Sequence, residues 1–508
     1  MFYINTGTIY GIEALPVIVE TDIAFGMGNF QIVGMPDTTV REARDRIKTA
    51  IKESGFTFPR TRITVNLAPA TVKKQGSSFD LPIALSVLGA TGVCNQDRAE
   101  KLLAVGELSL DGTLRPIRGV LPVALLARQL GYNGLIVPFE NGTEGAYVSG
   151  LSIYAAKSLK EVVSFLNGTY EITPSIPDHN HQNDRLDNAN YPDFSTIRGQ
   201  FFAKRGMEIA AAGAHNVLLS GPPGTGKTML ARALPSILPT LTEQESLEAT
   251  VIASVAGVLQ GEVGLITTRP FRSPHHSTSA TALIGGGATP RPGEVSLAHR
   301  GVLFLDELAE FSKVCLEYLR QPLEDGHVTI ARASGSATFP AQFMLVGATN
   351  PCPCGFLTDP RKPCVCSTQQ LNLYSKRLSG PIKDRFDMMI EVPFLEPTAL
   401  FDKKKEESSA EIKKRVQMAR NKQEERFSKT NIHANAHIPA HHLDDWCALS
   451  ADAEFLLKKA LEDLHISARG HARIRKVART IADLDASDHI EAEHIAEALQ
   501  FRHAATQF

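Results

Sequence analysis

An apolar run, Val217-Leu218-Leu219, leads directly into Gly221-Pro222-Pro223-Gly224-Thr225-Gly226-Lys227-Thr228. Glycines at this spacing let backbone N–H groups close around a phosphate chain. Lys227 adds a point charge, and the Thr228 hydroxyl can ligate Mg²⁺. Further along, a second buried-strand pattern, Val302-Leu303-Phe304-Leu305, ends in Asp306-Glu307. Asp306 offers a carboxylate to the metal, and Glu307 one able to orient and deprotonate water. Either motif alone can arise by chance. Both, in this order and each ending a strand, call for an α/β P-loop fold and ATP hydrolysis.

The chain has 508 residues, enough for two to four domains with separate cores. Charged residues make up 21% and the net charge is −2, so any nucleic-acid contact must rest on local basic clusters. Met1-Phe2-Tyr3-Ile4-Asn5 has neither a basic n-region nor a long apolar stretch, and the apolar run Leu81–Val93 is too short for a bilayer. The expectation is a cytoplasmic protein with no membrane partner. Seven cysteines in a chain of this length do not form a disulfide framework.

Residues 1–170 mix strand runs (Leu15–Val19, Arg62–Leu67, Gly134–Val137) with helical ones (Thr39–Ser54, Asp80–Leu88, Leu121–Leu130) and lack a phosphate loop, as in an α+β domain. Residues 171–193 are polar and read as a linker, in which His179 and His181 are solvated rather than metal-bound. From 194 to 395 strands and helices alternate, as in a parallel sheet wrapped by helices. The tail, 396–508, is helical, with a capping box at Ser408 and Glu411 and basic residues from Lys413 to Arg426.

Several shorter patterns carry chemistry. Asn350 ends the apolar strand Gln342–Thr349, where an amide can hold the attacking water or the γ-phosphate; the plain alternative is a turn residue. Arg377 and Arg385 flank a turn. Arg385 is either a surface partner of Asp384 or Asp387, or a finger reaching the γ-phosphate of a neighbouring subunit. Between Leu464 and Ala482 lie five basic residues and no acid; helical spacing puts Arg469, Arg473 and Lys476 on one face, free for nucleotide or phosphate backbone. Cys352, Cys354, Cys364 and Cys366 form two C-x-C pairs around a nine-residue loop, suited to tetrahedral Zn²⁺ or else four reduced thiols. His275 and His276 are discounted as a metal pair, because adjacent side chains point apart. A hairpin is expected over His327–Phe339 with its turn at Ser334-Gly335-Ser336.

Taken together, these strings resemble the ComM/YifB family of magnesium-chelatase-like AAA+ ATPases. The residues that carry the likeness are Gly76–Pro82, the Walker A loop Gly221–Thr228, Arg272–His276, Pro292–His299, Asp306-Glu307, Asn350–Gly355, Arg377–Asp387 and Ser467–Leu484. The resemblance implies a P-loop AAA+ module with a helical lid, assembled as a homo-hexamer with ATP and Mg²⁺ between subunits. Lys227 and Thr228 would bind phosphate and metal, Asp306 the metal, and Glu307 would activate water. Asn350 would be sensor 1, Arg385 the trans arginine finger and Arg469 the sensor 2 arginine. The interval between the phosphate loop and Asp306, with Arg269–His276 and Gly285–Gly287, is longer than a minimal core needs; this insertion and the hairpin around Arg332 would face a central channel.

Residues 1–170 also resemble the Lon proteolytic domain, with Ser78 at the nucleophile's place in Gly76-Ser77-Ser78. The lysine that should follow Gly119 is replaced by Val120-Leu121-Pro122-Val123, so a non-proteolytic scaffold is expected. The leading expectation is a motor on branched or single-stranded DNA, a branch-migration helicase of natural transformation working beside recombination proteins. The alternatives are a protein-remodelling or Lon-like proteolytic machine, and a chelatase-type subunit, although no Asp-x-Ser-x-Ser motif is present.

Overall fold

The strand-forming runs assemble into two sheets, one on either side of the segment read as a linker. The structure, a computed structural model, describes residues 2–177, 191–259, 264–287, 290–332, 335–378, 380–396 and 406–503. The middle of the linker, with His179 and His181, lies outside the described residues.

The first sheet has seven strands in the order Asn29–Val33, Arg62–Ala68, Glu13–Ala24, Phe2–Tyr10, Leu102–Ala104, Gly134–Pro138 and Ser152–Ala156. Along Arg62–Ala68 the residues Ile63, Val65 and Leu67 are buried while their neighbours are not, the period of two that one covered face imposes. Helix Thr38–Glu53 starts on the Asp37 side chain, which accepts the Val40 N–H, and buries Val40, Ala43, Ile47, Ala50 and Ile51. The helix Asp80–Ala90, apolar except for Asp80 and Ser86, is covered on almost every side.

The second sheet is wholly parallel, in the order Phe271–Arg272, Val302–Leu305, Met344–Thr349, Val217–Ser220, Met388–Glu391. The strand ending at Thr349 therefore lies between the two that carry the phosphate-loop and Asp-Glu motifs. One face packs against helix Phe201–Gly213 and the C-terminal helices Ser409–Phe427, Ala468–Leu484 and Ala492–His503, in a core holding Met207, Val217, Val346, Ile390, Val416, Ile474 and Ile481. Burial of each such side chain contributes about 1.5–3 kcal/mol. The other face is covered by Leu283, Leu308, Leu316 and Phe386. The capping box at Ser408 and Glu411 forms as expected.

Among the described residues the two parts touch around helix Glu243–Ala256 and at Tyr10. Val251, on helix Glu243–Ala256, enters the apolar cluster of Leu121, Val123 and Ala124. Beside it, Ser254 Oγ donates to Glu144 Oε1 at 2.5 Å, and Gly119 N donates to Ser254 O at 3.2 Å. At the second place Tyr10 Oη donates to Ser336 O at 3.0 Å. Ser336 lies on a hairpin of His327–Arg332 and Gly335–Pro340, closed by the pair Arg332 and Gly335. Gly335 and Ser336, expected in the turn, are strand residues: pairing continues past the point where composition suggested it would stop.

Candidate nucleotide site

Three parallel strands deliver their motifs to one edge of the second sheet. Gly221 follows Ser220, Asp306 follows Leu305 and Asn350 follows Thr349, the edge where open α/β sheets bind ligands. Gly221 lies so close to the neighbouring strand that a Cβ would sit 2.2 Å from Val392 O. Gly224 and Gly226 have φ of +79° and +93°, which turns the loop tightly before helix Lys227–Ala233.

Lys227 Nζ donates to Gly221 O at 2.6 Å, Pro222 O at 2.8 Å and Asn350 Oδ1 at 3.2 Å. Burial lowers its pKa to about 8, against the opposing pull of Asp306. Thr228 Oγ1 donates to Asp306 Oδ2 at 2.8 Å. Oxygens at that spacing match neighbouring corners of a Mg²⁺ octahedron, whose edge is about 3 Å at the usual bond lengths. The residues present thus fit both the triphosphate and its metal.

Glu307 has φ of +50°, an uncommon left-handed backbone that directs its carboxylate outward, and is 59% exposed. Its Oε2 lies 3.3 Å from His276 Nδ1. The histidine pair, discounted on the ground that adjacent side chains point apart, in fact places its rings 4.0 Å apart. Strand pairing stops at Arg272, and the chain turns at His275, whose carbonyl accepts from Thr278 N, so strand alternation does not apply. Gln200, also missed in the sequence, ties the site together: its Nε2 donates to Pro393 O at 2.7 Å and Thr225 O at 3.4 Å. Its only sequence signal was a polar residue after Gly199, just ahead of a helix.

The arginines lie elsewhere. Arg385 precedes strand Met388–Glu391 at the end of the sheet where Asp387 N donates to Asn216 O. That end is separated from the phosphate loop of the same chain by the length of strand Val217–Ser220, roughly 10 Å or more. Arg385 is 8% exposed and pairs with Glu324, not with Asp384 or Asp387; its Nε has no hydrogen-bond partner among the described residues. Arg377 is exposed and pairs with Glu310 at 2.8 Å. Arg473 Nε lies 3.4 Å from Asp387 Oδ1, and Lys476 Nζ donates to Ala436 O at 3.0 Å. The basic face expected to be free for phosphate is thus largely used inside the fold, because this helix is packed on both sides. Arg469, in the first turn of the same helix, stays exposed.

Cys352, Cys354, Cys364 and Cys366 converge, all four Sγ atoms within 4.8 Å of one another. The separations of 3.3, 3.6 and 3.7 Å among the first three are close to the ~3.8 Å edge of a zinc–thiolate tetrahedron. Backbone N–H groups of Phe356 and Val365 lower the Cys354 thiol to about 6, while burial raises Cys352 to about 12. The knot touches the nucleotide loop, since a Cβ on Gly355 would stand 2.7 Å from Pro223 Cδ. Cys94, Cys315 and Cys447 are buried packing residues.

In the first part of the chain, Ser77 Oγ donates to Glu107 Oε2 and Lys74 Nζ to Pro69 O. Leu121, where the protease lysine would follow Gly119, is fully buried. No helix among the described residues is long and apolar enough to cross a membrane.

The family profile "Magnesium chelatase, subunit ChlI" matches residues 193–400, "Subunit ChlI of Mg-chelatase" residues 19–141, and "Magnesium chelatase, subunit ChlI C-terminal" residues 406–502. The chain is 43% identical to the competence protein ComM of Haemophilus influenzae, over 97% of this chain and 95% of that protein. It is 42% identical to the uncharacterized protein YifB of Escherichia coli, over 98% and 96%. With a magnesium-chelatase 67 kDa subunit of Chlorobaculum parvum it shares 30% identity, over only 31% of this chain and 23% of that protein. Matched along nearly its whole length, and with a P-loop site built as described, the chain belongs to the ComM/YifB family of magnesium-chelatase-like AAA+ ATPases.

Proposed function

We propose that this chain is one subunit of a homo-hexameric ring that couples ATP hydrolysis to movement along DNA, promoting branch migration of recombination intermediates during natural transformation. The observation behind the ring is the separation of Arg385 and Arg473 from the phosphate loop of their own chain. Charge developing on a transferring phosphoryl group needs a nearby cation. A neighbour presenting this end of its sheet supplies one, with Arg385 as the finger and Arg469 as a second contact. The DNA reading is supported by the similarity to a competence protein.

In the hydrolytic step Lys227 and the backbone of residues 221–228 hold the β- and γ-phosphates. Thr228 and Asp306 would hold Mg²⁺, which neutralises charge on the phosphate oxygens. Glu307 takes the proton of the attacking water, and Asn350, already tied to Lys227, orients that water or the γ-phosphate. The four-cysteine knot would hold Zn²⁺ as a structural ion bracing the loop at Pro223. Residues 1–170 act as a scaffold, because a serine without a lysine base is a poor nucleophile. The ring works in the cytoplasm, beside recombination proteins.

The test is branch migration of a synthetic four-way junction by the purified protein. Resolution that needs ATP and is lost in Glu307→Gln supports the proposal. A junction left intact at ring-forming concentrations contradicts it.

A further inference from the structure

The free edge of the first sheet carries an unpaired basic surface with exposed aromatic and apolar tips. Among the described residues, strand Asn29–Val33 is the outermost strand and pairs only with Arg62–Ala68. Residues 25–28 cross over the start of that partner, since Arg62 is opposite both Ala24 and Asn29. At the crossing Phe25 is 103% exposed and Met27 94% exposed, each followed by a glycine. An aromatic ring so fully presented to water is costly in apolar surface, and contiguous exposure of this kind marks an interaction site.

The surroundings carry five exposed cations, with the exposed acids Glu42 and Asp45 interspersed on the bordering helix. Arg60 and Arg62 are exposed beneath the crossing. Helix Thr38–Glu53 borders the same edge with Arg41, Arg44 and Lys48, exposed and spaced along one face. Arg44 Nη1 donates to Phe30 O at 3.4 Å, and Lys48 Nζ lies 5.9 Å from the Phe58 ring, which itself packs 5.5 Å from Phe30. These contacts fix both cations beside the edge strand. Among the described residues none of the five is in an ion pair; Arg46, on the same helix, instead turns inward to Asp80 at 2.7 Å. The outward-facing acid Asp22 stands opposite Thr64, one pleat beyond Arg62.

We infer that this edge binds single-stranded nucleic acid, with the five cations on its phosphates and Phe25 and Met27 against its bases. Unpaired bases offer ring faces to such tips, and a duplex keeps those faces stacked inside. The cations account for attraction to either form, so the apolar tips are what select the single strand. The inference rests on the DNA reading above and adds a single-strand contact on the first sheet.

The experiment uses the full chain, fluorescence anisotropy with labelled oligothymidine, oligouridine and a duplex of equal length, and several salt concentrations. Phe25→Ala combined with Met27→Ala is expected to weaken single-strand binding on the order of tenfold and to leave duplex binding little changed. Arg60→Gln with Arg62→Gln should lower the single-strand salt slope by about 1.4, at ~0.7 for each phosphate no longer neutralised. ATP turnover without nucleic acid should not change in either variant. Oligouridine binding as tightly as oligothymidine supports a site for any single strand, and tighter oligothymidine binding supports one for DNA. Single-strand affinity and slope unchanged in both variants overturn the inference. So does a change confined to self-association on sedimentation, which would assign the edge to a second copy of the chain. If DNA fails to stimulate ATP turnover yet the strand still binds through Phe25, the motor reading fails and this surface stands.

Discussion

His276 Nδ1 lies 3.3 Å from Glu307 Oε2, so the carboxylate proposed to take a proton from water is engaged by a side chain of a neighbouring strand's extension. A carboxylate oxygen so engaged is a poorer acceptor for water. His276→Ala should raise the basal ATP turnover a few-fold and reduce its response to DNA, with nucleotide affinity unchanged. Steady-state turnover and binding of a fluorescent ADP separate the two effects. Loss of ADP binding in this variant would instead make His276 a structural residue.

Lys227 predicts a pH dependence. Its pKa is lowered to about 8 by burial, and phosphate binding favours the charged amine. Below pH 8 the lysine is already protonated. Above it, binding must take up a proton, so ATP affinity should fall with rising pH by up to tenfold per unit. Lys227→Arg, charged at every pH, should flatten the profile. Titration of ADP affinity from pH 7 to 9.5 checks it.

The cysteine knot should contain one zinc per chain. Stripping the metal under reducing conditions, or Cys364→Ser, should loosen the nucleotide loop through the Gly355 and Pro223 contact, lowering ADP affinity on the order of tenfold. Gly355→Val should do the same with the zinc retained. Metal analysis beside ADP binding distinguishes the cases; affinity untouched by metal removal would disconnect the knot from the site.

Asp483 should be the most costly charge to remove from the C-terminal helices. It is fully buried and accepts from Arg426 Nη1 at 2.9 Å, Arg479 Nε at 3.2 Å and Asn435 Nδ2 at 2.7 Å. Asp483→Ala leaves the buried Arg479 without its counter-charge, a loss of about 3–5 kcal/mol. Chemical denaturation followed by circular dichroism measures it.

Subunit mixing tests the ring. Lys227→Ala and Arg385→Ala chains, each inactive alone, should regain part of the turnover when combined, because some interfaces then pair an intact phosphate loop with an intact arginine. Continued inactivity in mixed rings would contradict Arg385 as a finger acting across a subunit interface.

The parts of the site that are local in sequence were legible without coordinates. A glycine loop, two acids after a strand and an amide after another each announce themselves by spacing, and the parallel sheet brings all three to one edge. The cysteine pairs were legible for the same reason. What eluded sequence reading depends on distant partners. His276 faces Glu307 only because the chain turns after Arg272, and Gln200 matters because Pro393 returns beside Thr225. The basic window of the helix starting at Ala468 looked free because its counter-charges, Asp387 and Asp444, lie far away in sequence. Arg385 looked exposed for the same reason, with Glu324 sixty-one positions before it.

The central claim, that ATP hydrolysis here is harnessed to DNA, is tested most directly by ATP turnover with no DNA, single-stranded DNA, duplex and a four-way junction, with Glu307→Gln as control. Strong stimulation by DNA, greatest with the single strand or junction and abolished in Glu307→Gln, is the predicted result. Turnover that depends on Glu307 but is the same with every DNA would contradict it and direct attention to a protein substrate.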